Sequence, residues 1–189
     1  MNTPTETMPN VVLETRRLVL RAFTSADADD VHRAASDPVV QRWLPLPAPG
    51  EPYTRAEAQR WCTEGAAHAR ASGDGQVWAA VRRDSGRFVG SFALTRTMWR
   101  ARTTELGYWV APWAQGDGLA SESTVAVSRW ALDQGFQRVE LKAATGNTAS
   151  RRVAEKAGFT HEGTERNAMP LHQGRTDLAV YGLIPADLE

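Results

Sequence analysis

The sequence predicts a mixed α/β domain (α+β in arrangement), with an antiparallel sheet in its N-terminal half and βα units in its second half. Three patterns carry this expectation. Two β-rich segments, residues 76–82 and 88–95, flank Asp84-Ser85-Gly86, which reads as a hairpin turn. Residues 105–110 form a β-rich run that stops at Ala111-Pro112, after which a glycine turn opens a helical stretch over 119–134. Residues 138–143 alternate like a strand and precede a second helical stretch over 148–157.

The remaining elements follow in chain order. Residues 18–23 read as a first strand, and Thr24 and Ser25 are suited to cap a helix over 26–35 that Asp37-Pro38 stops. A proline-rich loop over 44–52 comes next. Thr54, with Glu57 at the capping-box position, starts a helix over 55–71 that Ser72-Gly73-Asp74-Gly75 ends. In the helix over 119–134, Leu119, Ala126 and Trp130 share one side, and Ser121, Glu122 and Arg129 another. Gly158 closes the last helix, and residues 160–166 and 176–183 complete the chain as strands. No repeat, low-complexity tract or linker divides the chain, so residues 1–10 are expected to be a flexible N-terminus and 11–189 a single domain.

Composition narrows the function classes. Apolar content of 42% and charged content of 23% suit a globular chain. A formal net charge of zero gives no support for a general nucleic-acid or anionic membrane surface. The lone cysteine, Cys62, excludes an internal disulfide and fits a reducing compartment. Residues 1–10 are polar with two prolines, unlike a signal peptide, and no apolar run approaches the ~20 residues of a membrane span. A cytoplasmic location is expected.

The most informative stretch is Gln115-Gly116-Asp117-Gly118-Leu119-Ala120, lying between a strand and a helix. A glycine turn that opens a helix presents several unpaired backbone N–H groups, and the helix dipole adds positive potential there. The glycines let a bulky anion approach those amides. A phosphorylated cofactor is the expectation, although a lone glycine turn also serves merely to permit a tight bend.

Several segments together resemble a known family. Glu105-Leu106-Gly107-Tyr108-Trp109, Pro112-Trp113 and the glycine turn resemble the acetyl-CoA signature of the GCN5-related N-acetyltransferases (GNAT). Asn147-Thr148-Ala149-Ser150 with Glu155-Lys156-Ala157-Gly158-Phe159 is similar to that family's second motif. Residues 13–21, Leu-Glu-Thr-Arg-Arg-Leu-Val-Leu-Arg, resemble the subgroup that acetylates N-termini of ribosomal proteins. The three segments occur in the family's order and span most of the chain.

The resemblance implies a GNAT fold, with a mixed, mostly antiparallel central sheet that splays at the acetyl-CoA site and is flanked by helices. It implies that the acyl arm meets backbone at Trp109 and Val110, and that Gln115, Gly116, Asp117, Gly118, Leu119 and Ala120 receive the pyrophosphate. It also implies that Asn147 contacts the pantetheine arm and that Ser150 lies near the departing sulfur, while Asn147 is equally a natural helix cap. Many members carry a general-acid tyrosine where this chain has Ala154, which leaves Ser150 to polarise the leaving group. Tyr108 is a lesser candidate, since alternation points it away from Glu105.

Glu105 is the expected base. An amine arrives as an ammonium and must lose a proton before attack, and a carboxylate both attracts the cation and accepts that proton, directly or through water. Glu105, Gly107 and Trp109 share one face of the strand. From the strand alone a solvated edge charge, or a partner for an arginine, explains Glu105 better than a base does, and the motif context reverses that order. Trp43 and Tyr53, with Leu44, are candidates for a substrate mouth beside the proline-rich loop, or simply for loop packing.

No metal is expected, because His32, His68, His161 and His172 lie far apart with no ligand spacing. Neither a P-loop nor a nucleophile elbow is present. The resulting expectation is direct acetyl transfer from acetyl-CoA to a primary amine, first a protein N-terminus, alternatively a small amine such as a polyamine, an aminoglycoside or an amino-acid-like toxin. Family members often dimerise, which admits a homodimer. Two readings come from other classes: a non-catalytic CoA-binding sensor, and a dinucleotide oxidoreductase suggested by Gly116-x-Gly118 and Glu140. The latter is disfavoured because four residues, Pro112-Trp113-Ala114-Gln115, separate strand from glycine.

Overall fold

A computed structural model describes residues 6–188. Its chain order begins with two strands, β1 (Leu13–Glu14) and β2 (Leu18–Arg21), then two helices, α1 (Ala28–Ala35) and α2 (Pro38–Gln41). Helices α3 (Arg55–Arg60) and α4 (Ala66–Ala71) follow, joined by a wide π turn over Trp61–Gly65. Strands β3 (Gln76–Arg82), β4 (Phe88–Met98) and β5 (Thr103–Val110) precede α5 (Leu119–Asp133). Strand β6 (Arg138–Ala144), helix α6 (Thr148–Lys156) and strands β7 (Thr160–Leu171) and β8 (Gly174–Leu183) complete it.

The eight strands form one sheet in the order β1-β2-β3-β4-β5-β6-β8-β7. Neighbours are antiparallel except β5 and β6, which run parallel around the α5 crossover. The β3–β4 hairpin and the β5–α5–β6 unit are therefore as the sequence predicts.

Local chemistry explains the helix boundaries. Thr54 N–H donates to Glu57 Oε2 at 2.7 Å, and the Thr54 hydroxyl accepts from Glu57 N–H, giving the expected capping box. Asp37 and Pro38 do end α1, and they also open α2, with Asp37 Oδ1 accepting from Val39 N–H at 2.8 Å. The stretch expected as one helix over 55–71 is helical throughout but widens at Trp61–Gly65. The region expected as helical from residue 26 starts as a 3-10 turn, Ser25–Asp27, with buried Asp27 accepting from Arg21 Nη1 and Nη2, each at 2.8 Å.

Two apolar layers cover the sheet. Leu18, Leu20, Trp78, Phe92, Leu106 and Leu141 pack against Leu119, Val127, Ala131 and Ala154 of α5 and α6. The opposite face of the N-terminal half, including Val77, Ala79 and Phe88, packs against Val31, Ala58 and Cys62 of α1, α3 and the π turn. Alternation in β5 follows the expected faces: Leu106 and Val110 are buried on the α5 side, and Gly107 is exposed on the other. The flexible N-terminus expected over 1–10 falls partly outside the described residues; within them, Met8 is buried in the α5-side core.

Candidate active site

The sheet opens at its centre. Strands β5 and β6 pair over Thr103–Arg138, Thr104–Val139 and Glu105–Glu140, and among the described residues no further pair joins them. Beyond Glu105, β5 stays registered with β4 up to Gly90–Val110, while β6 follows β8 up to Ala144–Leu178. The edges of β5 and β6 between these points face a gap rather than each other.

Strand alternation decides which backbone groups face that gap. Ala111 N–H donates to Val89 O of β4 at 2.8 Å, so the Val110 carbonyl of the same peptide points the other way. Gln115 Nε2 donates to that carbonyl at 3.0 Å. In an extended residue N–H and C=O share a side, so Val110 N–H also faces the gap. The Trp109 carbonyl instead lies against β4 at Gly90. Of the two residues expected to meet an acyl arm through their backbone, Val110 has its peptide groups on the open edge, and the Trp109 side chain lines the cavity on the opposite face.

The glycine turn stands at the C-terminal end of β5. Gly116 and Gly118 have φ of 89° and 75°, conformations that L side chains rarely adopt. Among the described residues, no protein acceptor meets the N–H of Gly116, Asp117 or Gly118. Gln115 to Gly118 are exposed, Leu119 is buried under the turn, and a Cβ at Gly116 would meet only open space. Arg17, from the 13–21 segment, and Arg82, to which the sequence assigns no role, brace the turn: Arg17 Nη1 donates to Asp117 O at 2.9 Å, and Arg82 Nη2 pairs with the Asp117 carboxylate at 2.6 Å. Arg17 also pairs with Glu122 at 2.7 Å, and Thr15 donates to the same carboxylate at 2.6 Å. Burial favours the neutral acid at Glu122, but these bonds outweigh it and hold its carboxyl below the usual range. Residues 13–21 are thereby tied to the start of α5.

Across the gap, Asn147 caps α6, its Oδ1 accepting from Ser150 N–H at 3.1 Å. Tyr108 projects from β5 on the α5–α6 side, stacks on Phe92 at 5.3 Å between centroids, and meets Ser150 Oγ with its hydroxyl at 3.1 Å. Burial pushes the Tyr108 phenol up to about 12, against the smaller opposing effect of the Ser150 bond. Ala154 is fully buried in the core, away from solvent.

Glu105 closes the base of the gap on the other face. Its Oε2 pairs with Arg96 Nη1 at 3.1 Å, and it borders a charged cleft with Asp74, Glu140 and Lys142. Arg96 is presented by an irregularity in β4, with φ of 51°. Two residues further along the same face, roughly 7 Å at strand spacing, Gly107 lines a larger cavity of about 720 Å³. That cavity is walled by Tyr53, Trp61, Trp109, Leu44 and Leu46, which brings Tyr53 and Leu44 together in one wall. Trp43 does not line it; its ring lies against Gly146, beside the Asn147 cap. Trp61 was not singled out from sequence, because a tryptophan on an amphipathic helix reads as core.

The fold and its central opening define the class of protein: the chain belongs to the acetyltransferase (GNAT) domain family, whose model matches residues 17–160, and it is an N-acetyltransferase of that family. It is 29% identical to an uncharacterized N-acetyltransferase of Bacillus subtilis, YoaA, over 174 residues, which span 92% of this chain and 96% of that protein. It is also 29% identical over 97 residues to the ribosomal-protein-serine acetyltransferase of Escherichia coli, covering 51% of this chain and 54% of that one. Mycobacterium smegmatis RimJ, solved in complex with CoA-disulfide, superposes with a TM-score of 0.85 at 21% identity over 95% of this chain and 90% of RimJ. The free amides of the glycine turn and the open Val110 edge fit an acyl-CoA, whose diphosphate needs donors and whose amide-bearing arm needs a strand edge.

Proposed function

We propose that the protein transfers an acetyl group from acetyl-CoA directly to a primary amine, and that the acceptor is the α-amino group of a protein or peptide N-terminus. The observation that carries this reading is the opening between β5 and β6, with the amides of Gly116–Gly118 at one end, Val110 N–H on its edge and Glu105 at its base. The N-terminal acceptor rests on residues 13–21 and on the name of the E. coli relative. Acetyl-CoA, when bound, supplies a thioester whose acetyl carbon accepts the amine and whose thiol departs.

The chain's own residues do the rest. Main-chain N–H groups from Gly116 through Ala120 hold the diphosphate, and Gln115 fixes the Val110 peptide. Val110 N–H donates to the acyl oxygen, where negative charge develops. Asn147 holds the first turn of α6, which presents Ser150 toward the sulfur. Ser150, with Tyr108 behind it, donates to the departing thiolate. Glu105 attracts the ammonium and takes its proton, directly or through water. Trp109 and Tyr53 line the acceptor cavity, and Trp43 backs the loop that carries α6. No covalent enzyme intermediate is needed; Cys62 is buried in the π turn.

Fragmentation mass spectrometry of free and N-blocked peptides after incubation with acetyl-CoA tests the acceptor. The expected product carries one acetyl group on the α-amine of free peptides alone. Acetylated small amines with every peptide untouched would overturn the N-terminal assignment.

A further inference from the structure

The cavity beside Gly107 has a lining that reads the group attached to the amine. Its centre is aromatic and apolar: Trp61, Trp109, Tyr53, Leu44, Leu46 and Pro47. Its ionisable side chains are Glu57, Arg60, Glu64 and His68; the last three lie four residues apart along the helix and are exposed, while the half-buried Glu57 carboxylate accepts from the Thr54 N–H and hydroxyl. Of the two carboxylates, Glu57 is engaged by its own helix cap and Glu64 is exposed one turn from Arg60, so the lining is not the closed acidic pocket that a polyamine would need.

Two features of the sequence put the Trp61 indole there. The helix widens into a π turn over Trp61–Gly65, an irregularity frequent at functional sites. A Cβ at Gly65 would lie 2.7 Å from Trp61 Cε3, so glycine is what lets the ring lie across the next turn. The ring is then held from its edge by Phe23, with centroids 6.4 Å apart. Trp109 is braced similarly by Phe88 at 5.8 Å. Both indoles are half-buried and each packs on an aromatic neighbour.

The face of β5 supplies the scale. Glu105, Gly107 and Trp109 alternate as carboxylate, gap and indole, at roughly 7 Å spacing. Gly107 leaves its position open, since a Cβ there would meet nothing within 4 Å. Glu105 itself borders the neighbouring charged cleft, so an amine placed above Gly107 would stand about one strand repeat, roughly 7 Å, from the Glu105 position, a span for a bridging water, with the substituent on its α-carbon directed at the cavity.

We infer that the preferred acceptor is an amine carrying an aromatic or large branched apolar group on its α-carbon, with Trp61 as a specificity-determining wall. The inference rests on the transfer reading above. The same chemistry is offered by a peptide that begins with such a residue and by a free amine of that type.

The test compares peptides beginning with Phe, Leu, Ser and Gly, free phenylalanine amide and spermidine, in wild type, Trp61→Ala and Gly65→Ala. Expected is a kcat/KM for the Phe and Leu acceptors at least about tenfold above Ser, Gly and spermidine, the scale at which an apolar pocket distinguishes substrates. Both variants should shrink that ratio several-fold while the Kd for CoA stays unchanged. Calorimetric binding of phenylalanine amide to the CoA-loaded protein, compared with glycine amide, gives a readout free of turnover. Equal rates for all acceptors, a preference for spermidine, or variants that slow every acceptor alike would overturn the inference while leaving transfer intact. Absence of transfer to every acceptor would overturn the transfer reading. Equal binding of the two amides would overturn the apolar selection on its own.

Discussion

The Tyr108 hydroxyl meets Ser150 Oγ at 3.1 Å, across the gap where β5 and β6 part and 42 residues distant in sequence. One partner lies on a strand edge and the other on the first turn of α6, so the pair links the two walls of the opening. Removing either partner strips a donor from the thiolate side. Ser150→Ala is expected to lower kcat about 10- to 100-fold, and Tyr108→Phe by less, with the Kd for CoA within about twofold of wild type. Steady-state kinetics with parallel CoA titration checks this; a large rise in KM for acetyl-CoA at constant kcat would move both residues to binding.

The Tyr108 and Tyr53 phenols are each pushed up to about 12 by burial. A raised pKa means that the folded protein keeps its proton longer than the unfolded chain. The contribution to stability is full below the ordinary tyrosine value of about 10 and is lost as the pH climbs toward 12. Ultraviolet titration of tyrosinate should therefore display late ionisation, and Tyr108→Phe should remove one tyrosine's amplitude from that late phase. Loss of amplitude near pH 10 instead would contradict the buried phenol.

Glu122 has the opposite sign. Hydrogen bonds from Thr15 and Arg17 overcome the effect of burial and depress its pKa, so its stabilisation is present above the ordinary carboxylate range and fades as the pH falls through the folded value. Glu122→Gln should lower Tm at pH 7, and the difference from wild type should narrow on acidification below about pH 4. Differential scanning calorimetry across pH measures it; a constant difference would detach Glu122 from acid sensitivity.

At Gly116 a side chain has free space but the wrong φ, so Gly116→Val is expected to cost stability only about 1–2 kcal/mol while covering the amides of the turn. CoA affinity should fall at least about tenfold, beyond what the stability loss explains. Calorimetric Kd alongside denaturant unfolding separates the two effects. Unchanged affinity would remove the turn from the diphosphate site.

Local chemistry made much of this fold legible. Asp84-Ser85-Gly86 marks the hairpin, Thr54 and Glu57 mark a helix start, and Gly116 and Gly118 mark the turn before α5, each within a few residues of the feature it encodes. The alternation of β5 correctly assigned opposite faces to Glu105 and Tyr108. What escaped depends on long-range placement. From sequence Tyr108 is only a lesser candidate, because its face leads away from Glu105, and it is the packing of α6 that brings Ser150 to it. The Arg17–Glu122 tie spans 105 residues. The π turn at Trp61 leaves the apolar pattern of a helix intact, so its effect on the cavity wall has no signature in periodicity. Adjacency to the proline-rich loop links Trp43 to a substrate mouth, whereas its ring turns toward Gly146.

The base assignment is tested most directly by free-thiol release from acetyl-CoA in wild type and Glu105→Gln, with and without amine, at matched CoA occupancy. Wild type should release thiol only when an amine is present, with one acetylated product per thiol. Glu105→Gln should bind acetyl-CoA normally and turn over about a hundredfold more slowly. Amine-dependent release that survives the substitution unchanged would contradict Glu105 as the proton acceptor, and release at the same rate without amine would contradict acetyl transfer itself.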